Sequence, residues 1–348
     1  MIIKIIIERK KEATLGITIK NTGKAVPELV VKNDDLNRFV ETDNEWIIAR
    51  TGISERRVAT SESGLDLAAS AAKIALEGEN YDDIGLVIVA TVTPDKLVPS
   101  MGALVKRELG LNNAVAFDIS TACSGFIYGI WIAEALIKNG MVDKVNGVST
   151  NTINKALVIG VERLSRIVDW TDRGTCILFG DGAGAALLEN NPNENGILSS
   201  FVKNYDDTTD SLTCGMEYLK TPFTDDHLDN PEKQSLSMHG SQVFKFAVNA
   251  IGEVMEKSLE LAGLTADDIA YYVPHQANLR IILSAAKKFK QPIEKFQISL
   301  NETGNVSAAS VPMALYDIID TGKIKKGDKI MLMGFGGGLS AGAVIFEV

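Results

Sequence analysis

The feature that most restricts the fold of this chain is an internal repeat. Asp82-Asp83-Ile84, set between a helical and a strand-like segment, recurs as Asp267-Asp268-Ile269 in the same setting 185 positions later. Cys123 opens a helix after the strand-like Val115–Ile119, and Asn305 opens one after Phe296–Leu300, 182 positions later. Those helices end at Gly140 and Gly322, again 182 apart. Gly160 matches Gly334 at an offset of 174, and Gly182-Ala183-Gly184-Ala185-Ala186 matches Ser340-Ala341-Gly342-Ala343-Val344 at 158. Self-similarity on this scale predicts two copies of one structural plan. The step from 182 to 174 puts extra residues between Gly140 and Gly160, and the polar, Asn-rich Val145–Asn154 is the expected insert. The division expected is an atypical segment over 1–14, a first half over 15–200 with its insertion near 145–154, and a second half over 201–348. Lys203–Lys233, with many Asp, Thr and Pro, breaks the periodicity and reads as a long loop region. A pseudo-twofold axis between the halves would bring equivalent loops together and set Cys123 opposite Asn305.

Strand-like and helix-like segments alternate along both copies. Leu65–Leu76 is an Ala-rich helical stretch, Leu86–Ala90 a β-branched run, Gly125–Lys138 a buried helix, and Ala156–Ile159 and Ala183–Leu188 core strands. Val243, Ala247, Ala250, Ile251 and Val254 recur at three and four residues, as on an amphipathic helix. The pattern predicts an α/β protein with helices covering sheets. At 348 residues, 45% hydrophobic and 23% charged, the chain can bury roughly three quarters of its unfolded surface, which excludes wholesale disorder. A net charge of −10 excludes a protein that binds nucleic acid over its whole surface, though a local basic patch remains open. Met1–Ile7 is broken by Lys4 and followed by Glu8-Arg9-Lys10-Lys11, too short for a signal peptide's apolar core. No later run approaches about 18 uncharged apolar residues, so no membrane association is expected.

Only three cysteines (Cys123, Cys176, Cys214) and three histidines (His227, His239, His275) are available for chemistry. Three widely spaced cysteines exclude a disulfide framework or a Cys-rich zinc site and fit a reducing cytoplasm. Cys123 lies in Asp118-Ile119-Ser120-Thr121-Ala122-Cys123-Ser124-Gly125-Phe126 at a strand-to-helix joint. Helix N-terminal amides favour an anion, so a thiol there is expected to ionise below its usual value of about 8.5. Taken alone, a Cys among small apolar residues is more often plain core. His275, in Val273-Pro274-His275-Gln276-Ala277-Asn278, follows a strand, where open α/β sheets place ligands; a single His there is as often structural. Asn305, in Glu302-Thr303-Gly304-Asn305-Val306-Ser307, taken alone is a turn or cap. All three sit at strand-to-helix joints of the repeated unit, so the repeat brings a nucleophile and two hydrogen-bond donors together.

The other motifs are weighed in the same way. Gly180-Asp181-Gly182-Ala183-Gly184 and Gly334-Phe335-Gly336-Gly337-Gly338 have neither the spacing nor the lysine of a phosphate loop. Such a turn can supply close backbone approach, and a free amide beside the thiol would complete an oxyanion hole with the Cys123 amide. Thr42-x-x-Glu45 is a capping-box pattern that starts a helix carrying Trp46 and Arg50 on one face. An indole beside a guanidinium can sandwich an adenine, although spacing alone favours a Trp packed on its domain. Lys245, Arg280, Lys287, Lys288 and Lys290 flank the proposed site; a charge run is usually a solvated face, but it would also attract an acidic carrier or a phosphate.

Together these motifs resemble the thiolase superfamily, and within it the β-ketoacyl-acyl carrier protein synthase III family, over about Gly16–Val348. The resemblance rests on Glu45–Ile53, the Cys123 segment, Thr171-Asp172-Arg173-Gly174, Pro274-His275-Gln276-Ala277-Asn278-Leu279-Arg280, Gly304-Asn305-Val306-Ser307 and Gly334–Gly338. It implies a five-layered αβαβα sandwich of two duplicated halves. It further implies a cytoplasmic homodimer that condenses an acyl-CoA with malonyl-acyl carrier protein, releasing CoA and carbon dioxide through an acyl-cysteine. Cys123 would be acylated; His275 and Asn305 would hold the malonyl thioester carbonyl and its enolate; the Cys123 and Gly337 amides would form the oxyanion hole. Trp46, Arg50, Thr51 and Arg173 match the CoA head-group site, and Gly240, Ser241, Phe244, Ala277 and Asn278 the pantetheine tunnel. Lys245, Arg280, Lys287 and Lys288 match the carrier-protein face, and Val98 and Phe335 the acyl pocket. No metal or cofactor is implied, since the CoA thioester is a substrate.

Elongating condensing enzymes use Cys-His-His and true thiolases a second cysteine near the C-terminal Gly-rich turn; neither set exists here. Val98 stands where the family often has an aromatic residue, which would admit a longer or branched primer. Ser241 replaces a commoner Asn, and Ser340-Ala341 a commoner Thr-Trp that would pack beside the Gly-rich turn. Two other functions fit the same residues: an acyl-CoA-dependent acyltransferase or condensing enzyme of secondary metabolism, separable by carbon dioxide release, and a non-catalytic acyl-CoA-binding protein, separable by mass increase on acyl-CoA exposure.

Overall fold

The computed structural model describes residues 16–139, 141–145, 148–151, 153–215, 223 and 235–348. The segment over 1–14 and His227 lie outside them, as does much of the loop region expected over 203–233. In the first half, strand β1 (Ile17–Ala25) leads to helices α1 (Asn44–Thr51) and α2 (Gly64–Ala75). Strand β2 (Ile84–Ala90), helix α3 (Met101–Leu109), strand β3 (Val115–Ile119), helix α4 (Gly125–Asn139) and strands β4 (Lys155–Arg163) and β5 (Asp181–Asn190) follow. The second half runs through strand β6 (Ile197–Asn204), helix α5 (Gly240–Ala262), strand β7 (Tyr271–Pro274), helices α6 (Leu279–Lys288) and α7 (Ser310–Asp320), and strands β8 (Lys329–Gly336) and β9 (Ser340–Glu347).

The first sheet has the order β1-β5-β4-β2-β3 and the second β6-β9-β8-β7. Each sets its equivalent strands in the same senses: β2 parallel to β4, as β7 is to β8; β4 antiparallel to β5, as β8 is to β9. Registers repeat as well, for Lys155 pairs with Glu189 and Lys329 with Glu347, the offsets of 174 and 158 found in the sequence. One element differs. Phe296–Leu300, expected as a strand, makes only a single parallel bridge from Phe296 to Tyr272 before a helical turn over Leu300–Thr303. The second sheet therefore lacks the counterpart of β3. β6 belongs to the second sheet and spans the expected boundary at 200/201. The inserted region near 145–154 includes a short antiparallel pair of Met141–Val145 with Val148–Asn151.

Helices α4 and α7 lie between the sheets, α2 and α3 cover the outer face of the first, and α5 and α6 that of the second, giving five layers. The middle layer is apolar on both sides: Phe126, Ile127 and Ile130 of α4 and Val311, Leu315 and Ile318 of α7 pack with Ile88 and Val158 of one sheet and Leu332 and Val344 of the other. A helix sandwiched between sheets has no solvent face, so its sequence is apolar around most of its circumference.

The repeat also holds at the turns that precede these central helices. A one-turn 3₁₀ helix over Ala122–Ser124 precedes α4 and one over Ser307–Ala309 precedes α7, and Ala122 and Ser307 both adopt φ of +44°. These turns are 185 positions apart, the offset of the Asp-Asp-Ile pair. Cys123 is thus the structural equivalent of Ala308, and the expected pairing of Cys123 with Asn305 is three residues out of register. The turns touch each other across the pseudo-twofold axis. Gly160 and Gly334 make that approach possible: a Cβ on Gly160 would collide with the Ala308 carbonyl oxygen, and one on Gly334 would lie 3.0 Å from Ser124 Cα and 2.9 Å from Ile127 Cγ1. Replacing Gly160 by Ala must move the backbone of the second turn. The expected loss is about 1–3 kcal/mol of stability, read as a lowered urea midpoint with unchanged m-value.

Candidate active site

The end of β8 runs between the groups singled out in the sequence. On one side the His275 amide donates to Met333 O at 2.7 Å, and the imidazole stands edge-on to Phe335 with centroids 5.2 Å apart. On the other side Gly336 abuts Cys123 so closely that a Cβ would sit 2.7 Å from Cys123 Cβ and 3.1 Å from Sγ. The Cys123 and Gly337 backbone amides both lie beside the thiol and favour its anion. Asn305 enters from the second turn: its backbone bridges Leu178 O and the Gly180 amide, and its Oδ1 accepts from the Ser307 amide at 2.9 Å. With Oδ1 so committed, the Asn305 NH₂ group is the part left to donate outward. The Ser307 hydroxyl lies beside the Cys123 thiol and favours its anion. One cluster therefore holds Cys123, His275, Asn305, Phe335 and Gly337.

Burial controls the ionisation of this cluster. Desolvation pushes the Cys123 thiol up to about 12, against the lowering pull of Ser307 and the two amides. This reverses the expectation of a low thiol value: amide donors at the helix entrance do not compensate for the loss of water around a residue only 7% exposed. Desolvation also holds His275 down at about 3, so its ring is neutral, and Nδ1 is buried without a partner among the described residues. Two residues not singled out by sequence reasoning complete the cluster. Glu162, fully buried at the end of β4, is raised to about 7 by desolvation. Its oxygens accept from Thr93 Oγ1 at 2.6 Å, from the Val92 amide at 3.1 Å and from Thr91 Oγ1 at 3.3 Å, and the Ser307 hydroxyl lies beside them. The sequence signal was present: Glu162 is a carboxylate ending the apolar strand Ala156–Val161.

The outer candidate groups follow a second path. Helix α1 is capped by Asp43, which accepts from the Trp46 amide at 2.7 Å; the expected Thr42 cap does not form, and Thr42 Oγ1 is buried without a partner among the described residues. Trp46 carries two guanidiniums over its ring, Arg50 at 4.5 Å and Arg173 at 4.7 Å from the centroid. Thr51 is buried, its hydroxyl donating to Ile47 O and accepting from the Ile53 amide at the end of α1. Asn278 caps α6 through the Arg280 amide and donates Nδ2 to Arg50 O, tying α6 to α1. Arg280 lies 5.4 Å above the Phe244 ring. Gly240 and Ser241 are exposed at the start of α5, and Ala277 is half-buried. Lys245, Arg280, Lys287 and Lys288 are exposed, and Lys288 pairs with Glu256 at 3.0 Å. Val98 is 85% exposed beside Leu97. Ser340 is buried and hydrogen-bonded to Ser124 at 2.7 Å, so the Gly-rich turn is bound firmly to the Cys123 turn.

A duplicated five-layer sandwich with a cysteine on one central turn, an asparagine leading into the other and a histidine at the end of an adjacent strand has the features of a condensing enzyme of the thiolase fold. Family models support this at both ends of the duplication: 3-oxoacyl-[acyl-carrier-protein] synthase III matches residues 117–205, and its C-terminal counterpart matches 259–348. Curated relatives named β-ketoacyl-[acyl-carrier-protein] synthase III include one from Clostridium beijerinckii, 44% identical over 95% of this chain and 99% of its own length. One from Clostridium acetobutylicum is 42% identical over 95% and 98%. The crystal structure of 3-oxoacyl-[acyl-carrier-protein] synthase III from Aquifex aeolicus superposes with a TM-score of 0.85 at 40% identity, covering 96% of this chain and all of that one. The chain belongs to the 3-oxoacyl-[acyl-carrier-protein] synthase III family, the condensing enzymes that initiate fatty acid synthesis. No helix among the described residues is long and apolar enough to cross a membrane.

The buried ionisations predict opposite pH effects on stability. Between about 6.5 and 3 the unfolded chain protonates His275 while the folded protein does not, so this residue weakens the fold as pH falls. Glu162 binds its proton more readily in the folded protein between about 4.5 and 7, and so weakens the fold as pH rises through that window. In urea titrations from pH 7 to 4, the stability of His275→Gln relative to the parent is expected to rise as pH falls, and that of Glu162→Gln to decline.

Proposed function

We propose that Cys123 takes the acyl group from an acyl-CoA and that His275 and Asn305 then stabilise the enolate formed when a malonyl group on acyl carrier protein loses carbon dioxide. The enolate attacks the acyl-cysteine carbonyl, Cys123 leaves as the thiolate, and 3-oxoacyl-acyl carrier protein is released. The observation that carries this reading is the convergence of two backbone amides, from Cys123 and Gly337, on one buried thiol. Fixed amides at the sulfur are placed to receive the oxyanion that develops when a thioester carbonyl is attacked, in a site where water cannot compete. A histidine held neutral by burial suits the second step, because it donates a hydrogen bond to the enolate oxygen without releasing a proton to it. Asn305, with Oδ1 occupied, supplies the second donor.

The acyl-CoA enters past Trp46, where an adenine can exchange with one of the stacked guanidiniums while Arg50 and Arg173 meet its phosphates. Gly240, Ser241, Phe244, Ala277 and Asn278 line the route inward, with Asn278 contributing through the helix it caps. Lys245, Arg280 and Lys287 offer exposed positive charge to an acidic carrier protein; the Glu256 partner of Lys288 weakens its share. Val98, exposed in the single chain, floors the acyl pocket of a second copy in a homodimer, and Phe335 closes the pocket beside His275. The enzyme works in the cytoplasm with its cysteines reduced, and thiol, imidazole and amide groups suffice without a metal or cofactor.

Cys123→Ala is expected to gain no mass on exposure to acyl-CoA, and acylation of that variant at the parent rate would overturn the assignment. His275→Ala and Asn305→Ala should still be acylated but release carbon dioxide from malonyl-acyl carrier protein about 10²- to 10³-fold more slowly. Trp46→Ala is expected to raise KM for acyl-CoA by roughly tenfold, the loss of one stacking contact.

A further inference from the structure

Acylation requires that the thiol lose its proton, and the residues proposed for condensation do not supply a base. His275 is held neutral at about 3 and is a poor acceptor at working pH. The amides of Cys123 and Gly337 can only donate. Beside Sγ lie the Ser307 hydroxyl and these two amides, and of the three the hydroxyl can accept a proton and pass one on. Its onward neighbour is the Glu162 carboxyl, fully buried and oriented by Thr91, the Val92 amide and Thr93.

We propose that Ser307 and Glu162 form the proton path for acylation, with Ser307 relaying the Cys123 proton to the Glu162 carboxylate. As the sulfur attacks the thioester carbonyl, the S–H proton moves to the Ser307 oxygen and the Ser307 hydroxyl proton moves to Glu162. Collapse of the tetrahedral intermediate breaks the carbon–sulfur bond to CoA, and the proton held on Glu162 returns by the same path to the departing CoA sulfur. Atoms and charge balance without a further reactant. This deepens the proposed acyl transfer to Cys123 and rests on it.

Three observations support the path. The left-handed backbone at Ser307 is shared with its equivalent Ala122, so the fold dictates the conformation, but only the second turn puts a hydroxyl there. Glu162 sits on β4 opposite that turn, where Gly160 of the same strand admits the backbone of Ala308. Burial raises the carboxyl to about 7, so near neutral pH it exists in both forms and can take a proton and return it. The Glu162 charge acts on the Cys123 thiol, while the adjacent Arg163 reaches toward Asp95 at 3.9 Å.

The test is single-turnover acylation of the full-length protein by acetyl-CoA or isobutyryl-CoA, whichever acylates the parent faster, followed by intact mass from pH 5.5 to 9. The parent rate should rise with pH through a midpoint near 7. Ser307→Ala and Glu162→Gln should be acylated about 10²-fold more slowly at pH 8 and lose that midpoint. Glu162→Asp should keep the inflection at a reduced rate. Acylation of either variant at the parent rate, or a uniform slowing that leaves the midpoint in place, overturns the relay. If Glu162→Gln does not fold by circular dichroism, Ser307→Ala decides alone, since it leaves the buried carboxyl intact. Should the parent acquire its label at a residue other than Cys123, the acyl-transfer reading fails instead, and peptide mapping separates the two results.

Discussion

The structure depends on the contact of two backbone turns across a pseudo-twofold axis. The turns over Ala122–Ser124 and Ser307–Ala309 come from different halves of the chain, yet each can reach the other only because the opposing strand has a glycine, Gly160 in β4 and Gly334 in β8. Everything proposed for the chemistry hangs on that approach. Cys123 and Ser307 belong to the two turns, Asn305 leads into one of them, and Gly336 and Phe335 continue the strand that Gly334 opens. Central helices α4 and α7 start directly behind the turns, so their apolar packing between the sheets holds the contact closed.

Burial has a second consequence. Water is excluded from a cluster that contains a thiol, an imidazole and a carboxyl, and each responds by favouring its neutral form. A neutral thiol and imidazole are compatible with a close-packed core, the Glu162 carboxyl stands between its two forms near neutral pH, and the hydrogen-bond donors around the thiol await charge that develops during reaction. The outer site has the opposite character. The guanidiniums of Arg50 and Arg173 stack on the Trp46 ring near the surface, within reach of solvent.

Much of this was legible in the residues. The offsets 174 and 158 reappear as strand registers, because strand pairing preserves spacing that loops are free to change. Cys123 and His275 stood out as candidates because so few nucleophiles and imidazoles exist in the chain, and the fold sets both beside the end of β8. Other features were not legible. Phe296–Leu300 has the apolar run of a strand but pairs at one residue only, since edge strands are decided by what lies beside them. Thr42 and Asp43 are both good caps, and backbone geometry chose Asp43. The 182-residue offset of Cys123 from Asn305 misaligned turns that are 185 apart, because the helices that follow them, Gly125–Asn139 and Ser310–Asp320, differ in length.

The sequence by itself determined the duplication and the class of fold and singled out the candidate reactive side chains, since these follow from periodicity, spacing and residue chemistry along the chain. Only the tertiary structure decided their ionisation and their neighbours. The sign of the Cys123 shift depends on how much water the surrounding layers remove, and the meeting of Ser307 with Glu162 depends on two segments 145 residues apart in the sequence arriving at one point. Desolvation and through-space contact are properties of the packed molecule, and no local stretch of sequence contains them.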